Sequence, residues 1–384
     1  MRKLLLIIVL LPILGGLGWW YLHERQLTDY GPAYHEYAYV TNGKSNTVTA
    51  IDLRTFEISK TIKVGAEPTG IAANRRKNEV YVVNAGSNNI SVIDAERNAV
   101  AATIGVHGRP FFIDVSADGK RAYVANSGSN NVSVIDLERR ILLGNIRVGI
   151  APGLARVSPD DQTVVVSNRG DGTISTIDVS RLAVRSTIPV CPQPEDIAVL
   201  PDSSKAFIAC AGSSQVASVD LRNDKLLALL DVGKTPVNLA LKPDGGEMIV
   251  TCFDADGISI VETTTNEVGA SYLVGTHPAR GVVTADNSRL YVSNFGSNTV
   301  AVYDIDLGKL IATLPVGTRP DGLALSQSQN YLLVLNSGSG DVSVIQKRVP
   351  KKKFEPGEYS LLTMIPVGVQ PNNIVVKSFV LGQH

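Results

Sequence analysis

The stretch RAYVANSGSNNVSVID, residues 121–136, decides the fold. Arg121 to Asn126 reads as a strand, and Gly128-Ser129-Asn130 as a turn, because Gly and Asn tolerate positive φ. Val132 to Asp136 is a second strand, with apolar β-branched residues at alternate positions. Working outward, Phe111 to Ser116 is an earlier strand, joined by Ala117-Asp118-Gly119-Lys120, a turn of the kind Asp-Gly favours. Leu142 to Val148 is a fourth strand. Pro152 then opens the next inner strand, where a missing N–H does little harm at the first position. In order along the chain these strands are A, B, C and D.

The unit repeats. Its proline falls at Pro68, Pro110, Pro152, Pro194, Pro236, Pro278 and Pro320, always 42 residues apart. The acidic residue ending strand C falls at Asp52, Asp94, Asp136, Asp178, Asp220, Glu262 and Asp304. The residue ending strand B is Asn42, Asn84, Asn126, Asn168, Cys210, Cys252, Asn294 and Asn336. Periods of about 40–45 residues holding four strands mark propeller blades. Strand B has eight copies, the first near Tyr37 and the last near Leu335. Nothing before Tyr37 resembles strand A, whereas Asn372 to Phe379, after Pro371, matches a strand A with nothing behind it. The expected fold is therefore all-β: a single eight-bladed propeller over residues 36–384. One blade is composite, with its inner strand from the C-terminus, so no open sheet edge remains. Seven blades and a spare are the alternative. Pro320 to Pro371 spans 51 residues, and the nine extra ones form a basic insertion around 347–358, between strands C and D.

The motifs Tyr39-Val40-Thr41-Asn42, Tyr81-Val82-Val83-Asn84 and Tyr123-Val124-Ala125-Asn126 closely resemble the YVTN-type β-propeller family. The likeness runs from residue 36 through nearly the whole chain. It implies the fold and leaves the function open, because one fold hosts many activities. Similar propellers include surface-layer proteins, haem d1-binding propellers of denitrifiers, amine dehydrogenase heavy chains and propeller lactonases. The eight-blade count is shared with the d1-binding group.

The N-terminus is of another kind. Arg2-Lys3 precede an uncharged run from Leu4 to Leu22. As a helix it would span about 28 Å, close to a bilayer's hydrocarbon core. Trp19-Trp20-Tyr21 reads as an interfacial belt. Residues 1–23 are thus a signal anchor, or alternatively a signal peptide, followed by a linker over 24–35. The propeller would lie in the periplasm or outside the cell, and be secreted if the signal is cleaved. With 36 basic and 36 acidic residues, the balanced charge points to no nucleic-acid partner. Lys347, Arg348, Lys351, Lys352 and Lys353 belong to a C–D connection. They share the bottom rim with the chain's entry and would face anionic headgroups.

Positions constant through the repeat serve the fold, so a site is sought where one register position varies. The residue before the proline and the second after it supply Glu67, Arg109, Asp196, Asn238, His277, Arg280 and Arg319, with Glu195 beside them. They fall at the top entrance of the central channel, a mixed polar set suited to a peptide or a small anionic ligand. His107 and His277 lie in D–A connections four blades apart. They are the candidate ligands of a d1-type tetrapyrrole, although no covalent haem motif is present. Cys191, Cys210 and Cys252 fall on consecutive blades. With packed sheets about 10 Å apart, they read as unpaired, Cys210 and Cys252 as small buried hydrophobes. No serine elbow, phosphate loop or metal-ligand spacing occurs. The expected function is a non-enzymatic binding or scaffold module for a protein or small anionic ligand at the top face, with no cofactor. The alternatives are a haem d1-like redox protein and a lactonase-like hydrolase.

Overall fold

A computed structural model describes residues 31–348 and 358–382. The expected anchor over 1–23 and the lysines Lys351 to Lys353 lie outside the described residues. Among the described residues, no helix is long and apolar enough to cross a membrane.

Thirty-two strands, β1–β32 in chain order, form eight four-stranded antiparallel sheets. Blade 1 runs β32-β1-β2-β3 from inside out, with β32 (Pro371–Val380) as its inner strand. Blades 2 to 8 each take four consecutive strands. They are β4–β7 (68–105), β8–β11 (110–147), β12–β15 (152–189), β16–β19 (194–231), β20–β23 (236–273), β24–β27 (278–315) and β28–β31 (320–366). The eight-blade reading and the composite first blade both hold. Residues 31–35 and 379–382 form a small separate unit, in which Leu381 N–H donates to Ala33 O and His35 stacks on Phe379.

Each repeat residue has a mechanical reason. Tyr39, Tyr81 and Tyr123 are buried strand-B residues, and Tyr81 packs with Ala122 and Val124 of the next blade. The asparagine that ends strand B turns its amide across to strand C. Asn126 Nδ2 reaches Asn131 Oδ1 at 2.7 Å and Ser133 Oγ at 2.8 Å, and Asn84 and Asn336 do the same with their own partners. The amide needs room, which a glycine in the D–A connection provides for Asn84 and Asn336, whereas His107 holds that position opposite Asn126. A Cβ at Gly65 would lie 2.7 Å from the Asn84 side chain, and one at Gly317 2.6 Å from Asn336. The acidic residue closing strand C caps the C–D turn, as when Asp136 Oδ1 accepts the N–H groups of Glu138 and Arg139. Outer strands all carry a β-bulge at one register position, the site of extra twist at a sheet edge.

The cysteines overturn the reading that they are unpaired. Cys191 and Cys210 form a disulfide, Cα to Cα 5.8 Å. Inter-sheet spacing was the wrong comparison, because Cys191 lies not in a sheet but in the D–A connection that leads from blade 4 into blade 5. Cys191 stands where Gly65 stands in blade 2, and Cys210 where Asn84 stands, 19 residues apart in each case. A disulfide thus replaces the glycine–asparagine contact in blade 5. Blade 6 keeps Gly233 but has Cys252 as a buried free thiol, whose pKa burial raises. Its role as a small buried residue holds.

Candidate functional site

B–C and D–A connections meet on one rim, the top. Ala85 N–H donates to Glu67 O and Gly86 N–H to Ala66 O. The residue before each inner-strand proline takes a left-handed backbone in all eight connections: Glu67, Arg109, Ala151, Gln193, Thr235, His277, Arg319 and Gln370, with φ from 47° to 56°. Its N–H is taken by the B–C turn of the preceding blade. Asn46 Oδ1 accepts from Glu67 at 3.0 Å, Asn88 from Arg109 at 2.8 Å and Asn298 from Arg319 at 2.9 Å. This position varies because its backbone does the work. Its side chain stays on the rim, exposed at Glu67, Arg109 and Arg319 and half-buried at His277.

Two candidates prove structural. Asp196 is buried, accepting Leu239 N–H at 3.0 Å and Asn238 Nδ2 at 2.7 Å. Asn238 Oδ1 in turn accepts Gly281 N–H at 2.8 Å. Together they tie the inner strands of blades 5, 6 and 7. Asp114 repeats the device, accepting Val157 N–H at 3.0 Å, and Arg156 stands between Asp114 and Asp196 at 3.8 and 3.6 Å. Burial raises the Asp114 carboxyl, and the Arg156 charge opposes that.

Residues at two further variable positions make ring and charge contacts on this rim. Arg169, just after a strand-B asparagine, lies over Phe111 with 4.4 Å to the ring centroid. It reaches Glu195 at 3.5 Å and occupies the space Gly153 leaves. Across the mouth, His277 stacks on Phe253 at 4.7 Å with 9° between planes, and Arg319 covers Phe295 at 5.7 Å. Phe253 and Phe295 are 6.1 Å apart. Burial raises the carboxyls of Glu195 and Asp321, and the Arg280 charge opposes the rise in both. Arg169, Phe253, Phe295 and Asp321 escaped the sequence reading. The signal was present, since the residue after the strand-B asparagine and the residue after the proline also vary round the ring.

The two histidines are not brought to one axis. His107 lies within hydrogen-bond distance of the Asn131 and Asn145 amides, 2.8 and 3.0 Å, over the outer strands of blade 3. Among the described residues, no group of three His, Cys, Asp or Glu side chains could hold a metal ion.

A family model described as YNCE-like β-propeller matches residues 26–157, and a seven-bladed lactonase β-propeller model matches 245–356. The chain is a β-propeller whose repeat resembles the YVTN type. No curated protein matches it. Among solved structures, this propeller is similar to hydrazine synthase of Kuenenia stuttgartiensis, at 22% identity and TM-score 0.59, covering 81% of this chain and 92% of that one. It is similar to the dihydro-haem d1 dehydrogenase NirN at 13% identity and TM-score 0.74, covering 88% and 74%. A putative 6-phosphogluconolactonase from Bacteroides fragilis aligns at 17% identity and TM-score 0.58, covering 81% and 97%. At such identities the likeness is one of fold.

Proposed function

We propose that this protein is an exported, membrane-tethered binding module whose top mouth takes a small anionic ligand with a planar apolar part. The observation that carries this is the pairing of a phenylalanine ring with an arginine or a histidine three times on one rim: Phe111 with Arg169, Phe253 with His277, Phe295 with Arg319. Ring faces favour a stacked planar group, and guanidinium favours a carboxylate. Export rests on the charge-free run after Arg2-Lys3 and on the Cys191–Cys210 disulfide, a bond of oxidising compartments. In this reading Lys347, Arg348 and Lys351 to Lys353 face the membrane, and the top mouth faces away.

A tetrapyrrole cofactor is a second reading, since it is planar and anionic and the NirN chain shares the fold. The proposed ligand pair does not fit it, because the His107 ring is engaged with Asn131 and Asn145, leaving His277 alone at the mouth. For a lactonase-like site, Glu67 and Asp196 are not brought together.

The test is calorimetric titration of the detergent-solubilised full chain with 1-naphthoate, beside uncharged naphthalene. Naphthoate binds and naphthalene does not, and Arg169→Ala or Arg319→Ala weakens binding about tenfold, or ~1.4 kcal/mol each. Equal binding by wild type and both variants, or none by wild type, sinks the reading. A visible absorption band in protein from its native host turns the conclusion toward the tetrapyrrole.

A further inference from the structure

Every propeller blade presents an outer edge strand with unpaired backbone groups, and proteins protect such edges. The outer strands here share a bulge, and seven add polar residues or glycine along their length. These include Lys60 and Thr61 in β3, Gly144 and Asn145 in β11, and Arg185 in β15. Blade 5 does not. Its outer strand β19 (Lys225–Asp231) reads KLLALLD, with no polar residue between its ends. Leu226, Leu227 and Leu229 are 38%, 45% and 43% exposed, whereas Leu230 is buried. Sheet order leaves one side of β19 unpaired.

The sequence of this edge is complementary to itself. Laid antiparallel on a second copy about a two-fold axis through Ala228, Lys225 faces Asp231, Leu226 faces Leu230 and Leu227 faces Leu229. The opposite charges meet at both ends, the exposed Leu227 and Leu229 cover one another at cross-strand spacing, and the exposed Leu226 lies against Leu230. We propose that β19 is an interface at which two copies of this chain pair edge to edge, joining two blades into one eight-stranded sheet. The charge pattern selects this occupant: a generic apolar partner has no need of Lys225 and Asp231 at mirrored ends. A two-fold contact is self-closing, so it makes a dimer and not a fibre. The buried area is at the small end for specific contacts, so the dimer forms and dissociates with concentration.

The test is the mass of the detergent-solubilised full chain, by light scattering over a concentration series. Wild type rises from one chain to two. Lys225→Asp sets Asp against Asp at both ends, and Asp231→Lys sets Lys against Lys, so each variant stays monomeric. Mixing the two variants restores the dimer, because each then meets its opposite charge. The double variant Lys225→Asp with Asp231→Lys also dimerises. These exposed charges lie outside the core, so folding, checked by the melting curve, is kept. A monomer at all concentrations overturns the proposal, as does a dimer indifferent to the swaps. Binding of lipid vesicles through the leucines with no dimer assigns the strip to a membrane and overturns it too.

Discussion

Blade 5 shows how one position can serve the same end by two chemistries. In blades 1, 2, 4, 7 and 8 a glycine yields space to an asparagine amide that bonds strand C; here two cysteines close the same gap covalently. A disulfide of this loop size contributes about 2–4 kcal/mol. Replacing both cysteines with serine is expected to lower the melting temperature to that of the reduced wild type. Cys191→Gly with Cys210→Asn, which installs the pair used by blades 2 and 8, should recover much of the loss only with Ala217→Ser, which supplies the hydroxyl that Ser91 and Ser343 offer there. Thermal melts with and without reductant check this. A serine variant as stable as oxidised wild type would show that the bond contributes nothing.

At the scale of the element, turns depend on capping carboxylates. Thr284 Oγ1 and the Ser288 hydroxyl and N–H bond the Asp286 carboxylate, and with Lys347 nearby its pKa falls to about 2 despite partial burial. Asp136, Asp202 and Asp220 are lowered in the same way by the N–H and side-chain donors of their own turns. A depressed folded value means stability that is present above the unfolded value, near 3.9, and is lost as pH falls through the folded one. The melting temperature should therefore drop between about pH 4 and pH 2. Asp286→Asn should start lower at pH 7 and lose less over that window. Each group is largely solvated, so each contributes little and the effect is summed over blades. A flat profile would refute it.

For the whole molecule, closure matters most. The inner strand of blade 1 comes from the C-terminus, so β1 (Tyr34–Asn42) depends on β32 for its pairing. Thr41 Oγ1 bonds Asn372 Oδ1, and Gly43 N–H donates to Gln370 O. Truncation before Pro371 leaves β1 an open edge and bares Ala38, Val40 and Leu335, which are buried with Ile374. The shortened chain is expected to lose its cooperative melt and to aggregate with rising concentration, the hazard of an exposed edge. Adding a peptide of residues 371–382 should restore part of the melt. A truncated chain that melts like wild type would show that the ring needs no such closure.

The sequence by itself determined the repeat, the blade count, the composite blade and the strand positions. These follow from local chemistry: alternating apolar residues, turns that need Gly or Asn, and a proline at each inner strand's start. It also pointed to the top mouth, since variation within a fixed register is visible in one dimension. What each varying residue touches was settled only by the tertiary structure. Asp196 and Asn238 vary like the others but face neighbouring inner strands 43 residues away, where buried N–H groups require acceptors. Arg169 and Phe111 meet across a blade boundary, and Cys191 meets Cys210 because the D–A connection from blade 4 passes the end of strand B in blade 5. Contacts of that kind depend on how sheets stack and connections cross, and no residue announces them alone.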